Sequence, residues 1–189
     1  NAQIVANWHP TGPIAFPTNS SGQINGIGRT TQIKFDPHDS LLVYATTASG
    51  GLWISHDAGQ NWISTGTDNL PSLNCASVCI DHTNNQIIYL GTGDPNYYSD
   101  SYGIYKSTDG GATWNPTTLV FNVSAKVEIR KIIINPVNPQ KIMCCASNGI
   151  WRDTLGGMGV WSHPISNSTF DIEFKPGSQD TVYASGFSF

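Results

Sequence analysis

The residues best suited to ligand chemistry lie in one short segment, between positions 94 and 102. Its functional side chains are two carboxylates, one amide and three phenols: Asp94, Asn96, Tyr97, Tyr98, Asp100 and Tyr102. Tyrosine rings can stack on a sugar or a peptide, and carboxylate and amide oxygens are ligands that Ca²⁺ accepts. The segment predicts a ligand-binding loop that could also hold Ca²⁺, with a solvated surface loop as the alternative. We expect no other metal or cofactor.

A second candidate for ligand binding is Arg29. An arginine can hold a carboxylate ligand through two parallel N–H bonds. In the structural alternative, Arg29 satisfies backbone carbonyls near its own strand.

The chain has four cysteines: Cys75, Cys79, Cys144 and Cys145. A C-x3-C pair combined with a neighbouring C-C pair fits none of the usual C-x2-C zinc frameworks. We interpret the four residues as small buried hydrophobes and leave their disulfide state open.

Composition excludes several classes of protein. The 189 residues include 9 Lys and Arg against 13 Asp and Glu, and charged residues make up only 12% of the chain. A disordered acidic tail is excluded, and the scattered basic residues disfavour a nucleic-acid partner because no basic stripe could neutralise a run of phosphates. The apolar runs are far shorter than the roughly 20 residues that cross a bilayer, so no membrane span is expected.

Self-comparison reveals a repeat, in which Tyr89 follows Tyr44 after 45 positions and Asp109 follows Asp57 after 52. The difference of seven is an insertion that coincides with the segment from 94 to 102. The repeat predicts units at 28–66, 74–117, 128–163 and 169–189, preceded by an N-terminal segment or closing strand at 1–27. The fourth unit stops before a third strand can form.

Each complete unit contains four short β-branched or aromatic runs that are separated by Asn, Asp, Pro and Gly turns. This pattern predicts a four-stranded antiparallel meander, and meanders of about 45 residues stack around an axis as the blades of a β-propeller. The predicted fold is therefore an all-β propeller of about three and a half blades. Because propellers use about 4 to 8 blades, we expect the remaining blades to come from the same larger protein or from a partner.

A motif of the form Ser-x-Asp-x-Gly-x-x-Trp ends two of the units. Its copies consist of Ser55, Asp57, Gly59 and Trp62, and of Ser107, Asp109, Gly111 and Trp114. The motif resembles the Asp-box, or bacterial neuraminidase repeat. Its expected role is structural, because the carboxylate accepts backbone N–H groups within a turn while the indole packs beneath it. In the third unit Leu155 stands where the acid should be.

Further segments are similar to the repeats of secreted sortilin-like and xyloglucanase-like propellers, notably residues 49–53 (Ser-Gly-Gly-Leu-Trp) and 89–94 (Tyr-Leu-Gly-Thr-Gly-Asp). The topology puts the Asp-boxes on one rim of the propeller, here the turn rim. The loops between second and third strands lie on the opposite rim, here the loop rim. The resemblance places ligand sites on the loop rim, where Arg29 and the segment from 94 to 102 belong.

Catalysis is not expected from the motifs themselves. Xyloglucanases carry a catalytic acid in a Tyr-Ala-x-Thr-Asp-x-Gly-Gly run, and this chain has Ala48 at that position. Since glycoside hydrolysis generally requires two carboxyl groups, the loss of that acid removes half of the machinery. Substitute acids on the loop rim have no motif support: Asp68, Asp94, Asp100 and Glu128. The sialidase arginine cluster has no counterpart either.

We therefore predict a secreted or cell-surface propeller segment that recognises a glycan, a peptide or a protein and is not itself catalytic. The alternative is that the chain is part of a secreted glycoside hydrolase of the xyloglucanase or sialidase type. Asn-x-Ser/Thr sequons at Asn19, Asn122 and Asn167 are compatible with an exported protein.

Overall fold

A computed structural model describes residues 28–96 and 99–186. The predicted N-terminal segment at 1–27, the tyrosines at 97 and 98 and the last three residues lie outside the described residues. Over the described residues the fold is all-β, as predicted, with two short 3-10 helices at Gly66–Asn69 and Val123–Ala125. No helix in this part of the chain is long and apolar enough to cross a membrane.

The strands form four antiparallel sheets that follow one another along the chain. The first sheet contains β1 (Thr30–Phe35), β2 (Val43–Thr47), β3 (Leu52–Ser55) and β4 (Ile63–Ser64). The second contains β5 (Cys75–Ile80), β6 (Ile88–Thr92), β7 (Ile104–Ser107) and β8 (Asn115–Pro116). The third contains β9 (Ile129–Ile134), β10 (Ile142–Ala146), β11 (Gly149–Asp153) and β12 (Ser162–Ile165), and the fourth pairs β13 (Thr169–Phe174) with β14 (Val182–Gly186). Consecutive strands are neighbours in every sheet, so each sheet is a meander.

The core consists of three apolar layers, one between each pair of successive sheets. Tyr44 of the first sheet and Leu90 of the second are buried in the first layer. Tyr89, on the opposite face of the second sheet, packs with Ile132 of the third. Ile172 of the fourth sheet packs against the third. Alternate residues of one strand thus enter two different layers, which is the burial expected of face-to-face stacked sheets.

The innermost strands are joined by side chains that donate to backbone carbonyls at equivalent positions. The Thr31 hydroxyl donates to the Cys75 carbonyl over 2.6 Å, and the Ser77 hydroxyl donates to the Ile129 carbonyl over 3.1 Å. Arg130 donates to the Thr169 carbonyl over 3.1 Å in the same way. These strands have a register shift at this point, as a β-bulge produces, and it opens the backbone carbonyl to the neighbouring sheet.

The two Ser-x-Asp turns have the same hydrogen-bond pattern. In the second sheet the Ser107 hydroxyl accepts the N–H of Gly111 at 2.8 Å and donates to the Asp109 carboxylate at 2.7 Å. The carboxylate also accepts the Thr113 N–H at 2.9 Å, and the Trp114 indole donates to the Gly111 carbonyl at 3.1 Å. That carbonyl also accepts the N–H of Gly66, which begins the 3-10 helix after the first sheet, so the turn is tied to the preceding unit.

The turn of the third sheet reaches a similar shape with different residues. Asp153 pairs with Ile142 in the register where Ser107 pairs with Ile88, so it takes the place of the serine. Its carboxylate accepts the N–H groups of Leu155 and Gly157, both at 2.8 Å. Leu155 occupies the position of the acid, and its side chain is exposed.

Candidate functional site

A polar pocket of about 560 Å³ opens on the loop rim, between the first and second sheets. Arg29 precedes β1, Ala48 and Ser49 lie in the turn after β2, and Asn74 precedes β5. Asp94 and Asp100 enter from the inserted segment that follows β6. The fold therefore brings together two of the predicted elements of the site, Arg29 and the insertion, although Asp94 follows Arg29 by 65 positions.

Arg29 and Asp94 form an ion pair at this pocket. The Asp94 side chain is only 7% exposed, whereas that of Arg29 is 43% exposed. The second oxygen of Asp94 accepts the backbone N–H of Asn96 at 3.0 Å. A buried carboxylate therefore anchors the guanidinium, while the Arg29 side chain as a whole remains partly exposed.

Asp100 is held by a different cation. Its carboxylate lies 2.6 Å from the Lys126 ammonium, and both side chains are about half exposed. The two carboxylates that were predicted to share a Ca²⁺ ion are thus paired with separate basic residues. Within residues 28–96 and 99–186, no three His, Cys, Asp or Glu side chains are grouped so that they could hold a metal ion.

The base of the insertion is fixed by a small buried network. The Thr92 hydroxyl donates to the Gly103 carbonyl at 2.8 Å and accepts the N–H of Tyr102, also at 2.8 Å. The Ser101 hydroxyl donates to the Thr92 carbonyl at 3.1 Å. Tyr102 itself is partly buried and packs against the core between the first and second sheets. Tyr97 and Tyr98 lie outside the described residues.

One backbone contact recurs at the loop rim and defines equivalent positions in three sheets. The N–H of Ala48 donates to the Arg29 carbonyl at 3.1 Å, that of Gly93 to Asn74 at 2.8 Å, and that of Ser147 to Glu128 at 3.1 Å. Asp94 comes one residue after Gly93. The second sheet therefore contributes a carboxylate to the pocket one residue after Gly93, the residue that is equivalent to Ala48 of the first sheet.

Glu128 is a further carboxyl group close to this point. It is buried, and the backbone of Gly93 packs so tightly on it that a Cβ there would lie 2.9 Å from the Glu128 Cα. Burial raises the pKa of Glu128, while Arg130 and a hydrogen bond from Ser147 oppose the rise and the charge of Asp94 adds to it. Arg130 lies 3.5 Å away and also binds the fourth sheet.

Three polar lining residues, Ser49, Asn74 and Ser99, are not among the site residues predicted from the sequence. Asn74 occupies the position in the second unit that Arg29 occupies in the first, and this equivalence was the available signal. Asp68, named as a substitute acid, is exposed in the 3-10 helix Gly66–Asn69 and does not line the pocket.

Several known proteins are similar to this chain. A xyloglucanase of Paenibacillus sp is 29% identical over 173 residues, which is 83% of this chain and 16% of the relative. A xyloglucanase of Hypocrea jecorina (strain QM6a) is 32% identical over 168 residues, 82% of this chain and 20% of the relative. The chain thus spans a fifth or less of the length of these curated relatives.

The fold also has solved counterparts. The crystal structure of an ancestral GH74 enzyme covers 82% of this chain with a TM-score of 0.66 and 17% identity, and the match covers 22% of that structure. At this identity the likeness concerns the fold alone. The sequence model of the DUF6242 beta propeller domain matches residues 8–172. Because the match takes in most of the chain, the protein belongs to the DUF6242 beta propeller domain family.

Proposed function

We propose that this chain is the glycan-binding part of a secreted glycoside hydrolase of the xyloglucanase type. In this proposal the pocket at the loop rim holds a neutral saccharide, and the four sheets are blades with the bounds 28–66, 74–117, 128–163 and 169–189. Further blades of the same larger protein complete the propeller. The curated relatives are xyloglucanases, and they support this reading over a role in peptide or protein recognition.

The observation that carries the proposal is the internal pairing of every charge at the pocket. Arg29 binds Asp94, and Lys126 binds Asp100, so among the described residues that line the pocket no cation or carboxylate lacks an opposite charge. Ser49 and Asn74 remain at the wall as a neutral hydroxyl and a neutral amide. Such groups donate to and accept from sugar hydroxyls, whereas an acidic sugar would require an uncompensated arginine.

The turn rim has a structural part in this proposal. We infer that the Ser-x-Asp turns are Asp-boxes, because each one closes its own turn and the second also accepts an N–H from the segment that follows the first sheet. Binding residues then belong to the opposite rim. The location outside the cell, suggested by the sequons and the resemblance, is part of the same proposal.

We further propose that this part of the protein binds the glycan without cleaving it. Ala48 cannot donate or accept a proton, and Asp94 is already engaged by Arg29 and the N–H of Asn96. A hydrolase built on this pocket would take at least one catalytic carboxyl group from polypeptide outside these sheets.

Isothermal titration of the chain with a xyloglucan oligosaccharide tests the proposal, with a sialylated oligosaccharide as the charged comparison. We expect binding of the neutral sugar only. Asn74→Ala should weaken binding about tenfold through the lost amide contacts. Asn115→Ala, on the exposed outermost strand of the second sheet, is the matched control and should leave binding unchanged. Equal affinity of the wild type and Asn74→Ala for the neutral sugar, or preference for the sialylated one, would refute the proposed site.

A further inference from the structure

A second aromatic feature lies on the third sheet, away from the pocket. The rings of Trp151 on β11 and His163 on β12 are stacked in parallel, with centroids 3.8 Å apart and an interplanar angle of 5°. Phe121 meets the indole edge-on at 5.7 Å. Trp151 and Phe121 pack against the core, while His163 is exposed. The stack therefore offers one ring to the core side and the other to the solvent.

One residue of the loop rim fixes both rings. The side-chain oxygen of Asn148 accepts the Trp151 indole N–H at 3.0 Å, and its backbone carbonyl lies 3.0 Å from His163 Nε2. Because a carbonyl can only accept, Nε2 carries the hydrogen. In the neutral imidazole Nδ1 is then an acceptor. The exposed ring is thus held flat, with a hydrogen-bond acceptor on its edge.

The local strand pairing explains why, among the four-stranded sheets of the described residues, the third has this stack. Trp53 and Tyr105 are opposite Ser64 and Pro116 on the outermost strands of the first and second sheets. In the third sheet the register between β11 and β12 shifts after Ile150. This irregularity places the His163 ring over the face of the Trp151 indole. In a regular ladder the two side chains would instead lie side by side.

We propose that the exposed ring of this His163–Trp151 stack is a second carbohydrate-binding surface, which packs against a pyranose ring. Sugar rings present flat C–H faces to aromatic rings, and a hydroxyl at the ring edge can donate to Nδ1. Like the pocket between the first and second sheets, this surface would bind a neutral sugar and needs no charged side chain. This inference rests on the proposed function and extends it: the ligand is a long glycan that contacts both the pocket and the outer edge of the third sheet.

The role of the His163–Trp151 stack as a carbohydrate-binding platform can be distinguished from a role in packing alone. Trp151 also contacts Phe121 and donates to Asn148, and both contacts persist without an imidazole. His163 contributes an exposed ring on the outermost strand, so its removal should change ligand binding more than folding.

The test compares two ligands, polymeric xyloglucan and its single-repeat oligosaccharide, by affinity electrophoresis and titration. His163→Ala should weaken binding of the polymer about tenfold and leave binding of the short oligosaccharide unchanged. His163→Phe keeps a stacking ring and should retain most of the affinity for the polymer. Tyr183→Ala removes another exposed aromatic ring, on the fourth sheet, and should have no effect.

The outcomes separate this inference from the proposed function. If the polymer binds His163→Ala as tightly as the wild type while Asn74→Ala is impaired, the platform is refuted and the pocket stands. If neither ligand binds the wild type, the proposed function fails and the platform falls with it. A polymer-specific loss in His163→Ala, at an unchanged melting temperature, supports both.

Discussion

The turn of the third sheet makes a quantitative prediction about Asp153. Its carboxylate is buried and accepts two backbone N–H groups, from Leu155 and Gly157, at 2.8 Å each. Asp153→Ala would leave both donors without this acceptor. Since a hydrogen bond to a charged group contributes about 1.5–3 kcal/mol, we expect a loss of about 3 kcal/mol in the free energy of unfolding.

Asp153→Ser should restore much of this loss, because Ser107 satisfies the equivalent donors of the second sheet with a hydroxyl. The double variant Asp153→Ser/Leu155→Asp rebuilds the Ser-x-Asp-x-Gly part of the motif, and its acid could accept the N–H four residues ahead, as Asp109 does. Leu155→Asp alone would instead put a second carboxylate beside Asp153. The two substitutions should therefore be coupled by more than about 1 kcal/mol.

Urea unfolding at neutral pH measures these effects. With a slope of about 2 kcal/mol per molar urea, Asp153→Ala should lower the midpoint by about 1.5 M. The exposed neighbour Thr154 provides the control, since Thr154→Ala should change stability by about 0.5 kcal/mol or less. Equal midpoints for Asp153→Ala and Thr154→Ala, or additive effects in the double variant, would refute the assignment of Asp153 to the serine position.

Three further outcomes follow from the titrating groups. Hydrogen bonds from Asn61 and Thr113 lower the pKa values of Asp57 and Asp109 from 3.8 to about 2. The stability that the two ionised carboxylates provide is therefore lost as the pH falls from about 4 to about 2. The double variant Asp57→Asn/Asp109→Asn should show a smaller loss over this range, measured by urea titration at each pH. Burial raises the pKa of Glu128 above 4.5, so its ionisation destabilises the fold as the pH rises. The free energy of unfolding of Glu128→Gln relative to that of the wild type should therefore increase as the pH rises. A difference that does not change with pH would contradict this. Burial also raises the thiol pKa values of the four cysteines, all of which are free. Three of them, Cys75, Cys144 and Cys145, are fully buried, so a disulfide reagent should label these three only after denaturation, and their rapid labelling in the native protein would be inconsistent with the packing.

Much of the fold was accessible from the sequence because its repeat is direct. The spacing from Tyr44 to Tyr89 and the two Ser-x-Asp motifs predict successive meanders, and the sheets follow that order. Both tyrosines enter the layer that faces the next sheet, so one residue type marks one face in two units. Local turn chemistry and strand alternation carry this information.

The candidate site was accessible only in part, because it depends on contacts between sheets. The sequence indicates that Arg29 and the insertion share the loop rim, but their ion pair joins residues that are 65 positions apart. The stacking of His163 on Trp151 depends on a register shift between β11 and β12, and the residues of β12 contain no signal that predicts the shift. The structural role of Asp153 does not follow from the motif, because the motif has its acid at the position of Leu155.

Hydrogen exchange of the chain with and without polymeric xyloglucan tests the central claim, that the loop rim binds a neutral glycan. We expect the ligand to slow exchange in residues 46–51, 72–75, 92–96 and 99–103, which surround the pocket, and to leave the turns at 55–62 and 107–114 unchanged. Slower exchange at those turns with no change around the pocket would contradict the account.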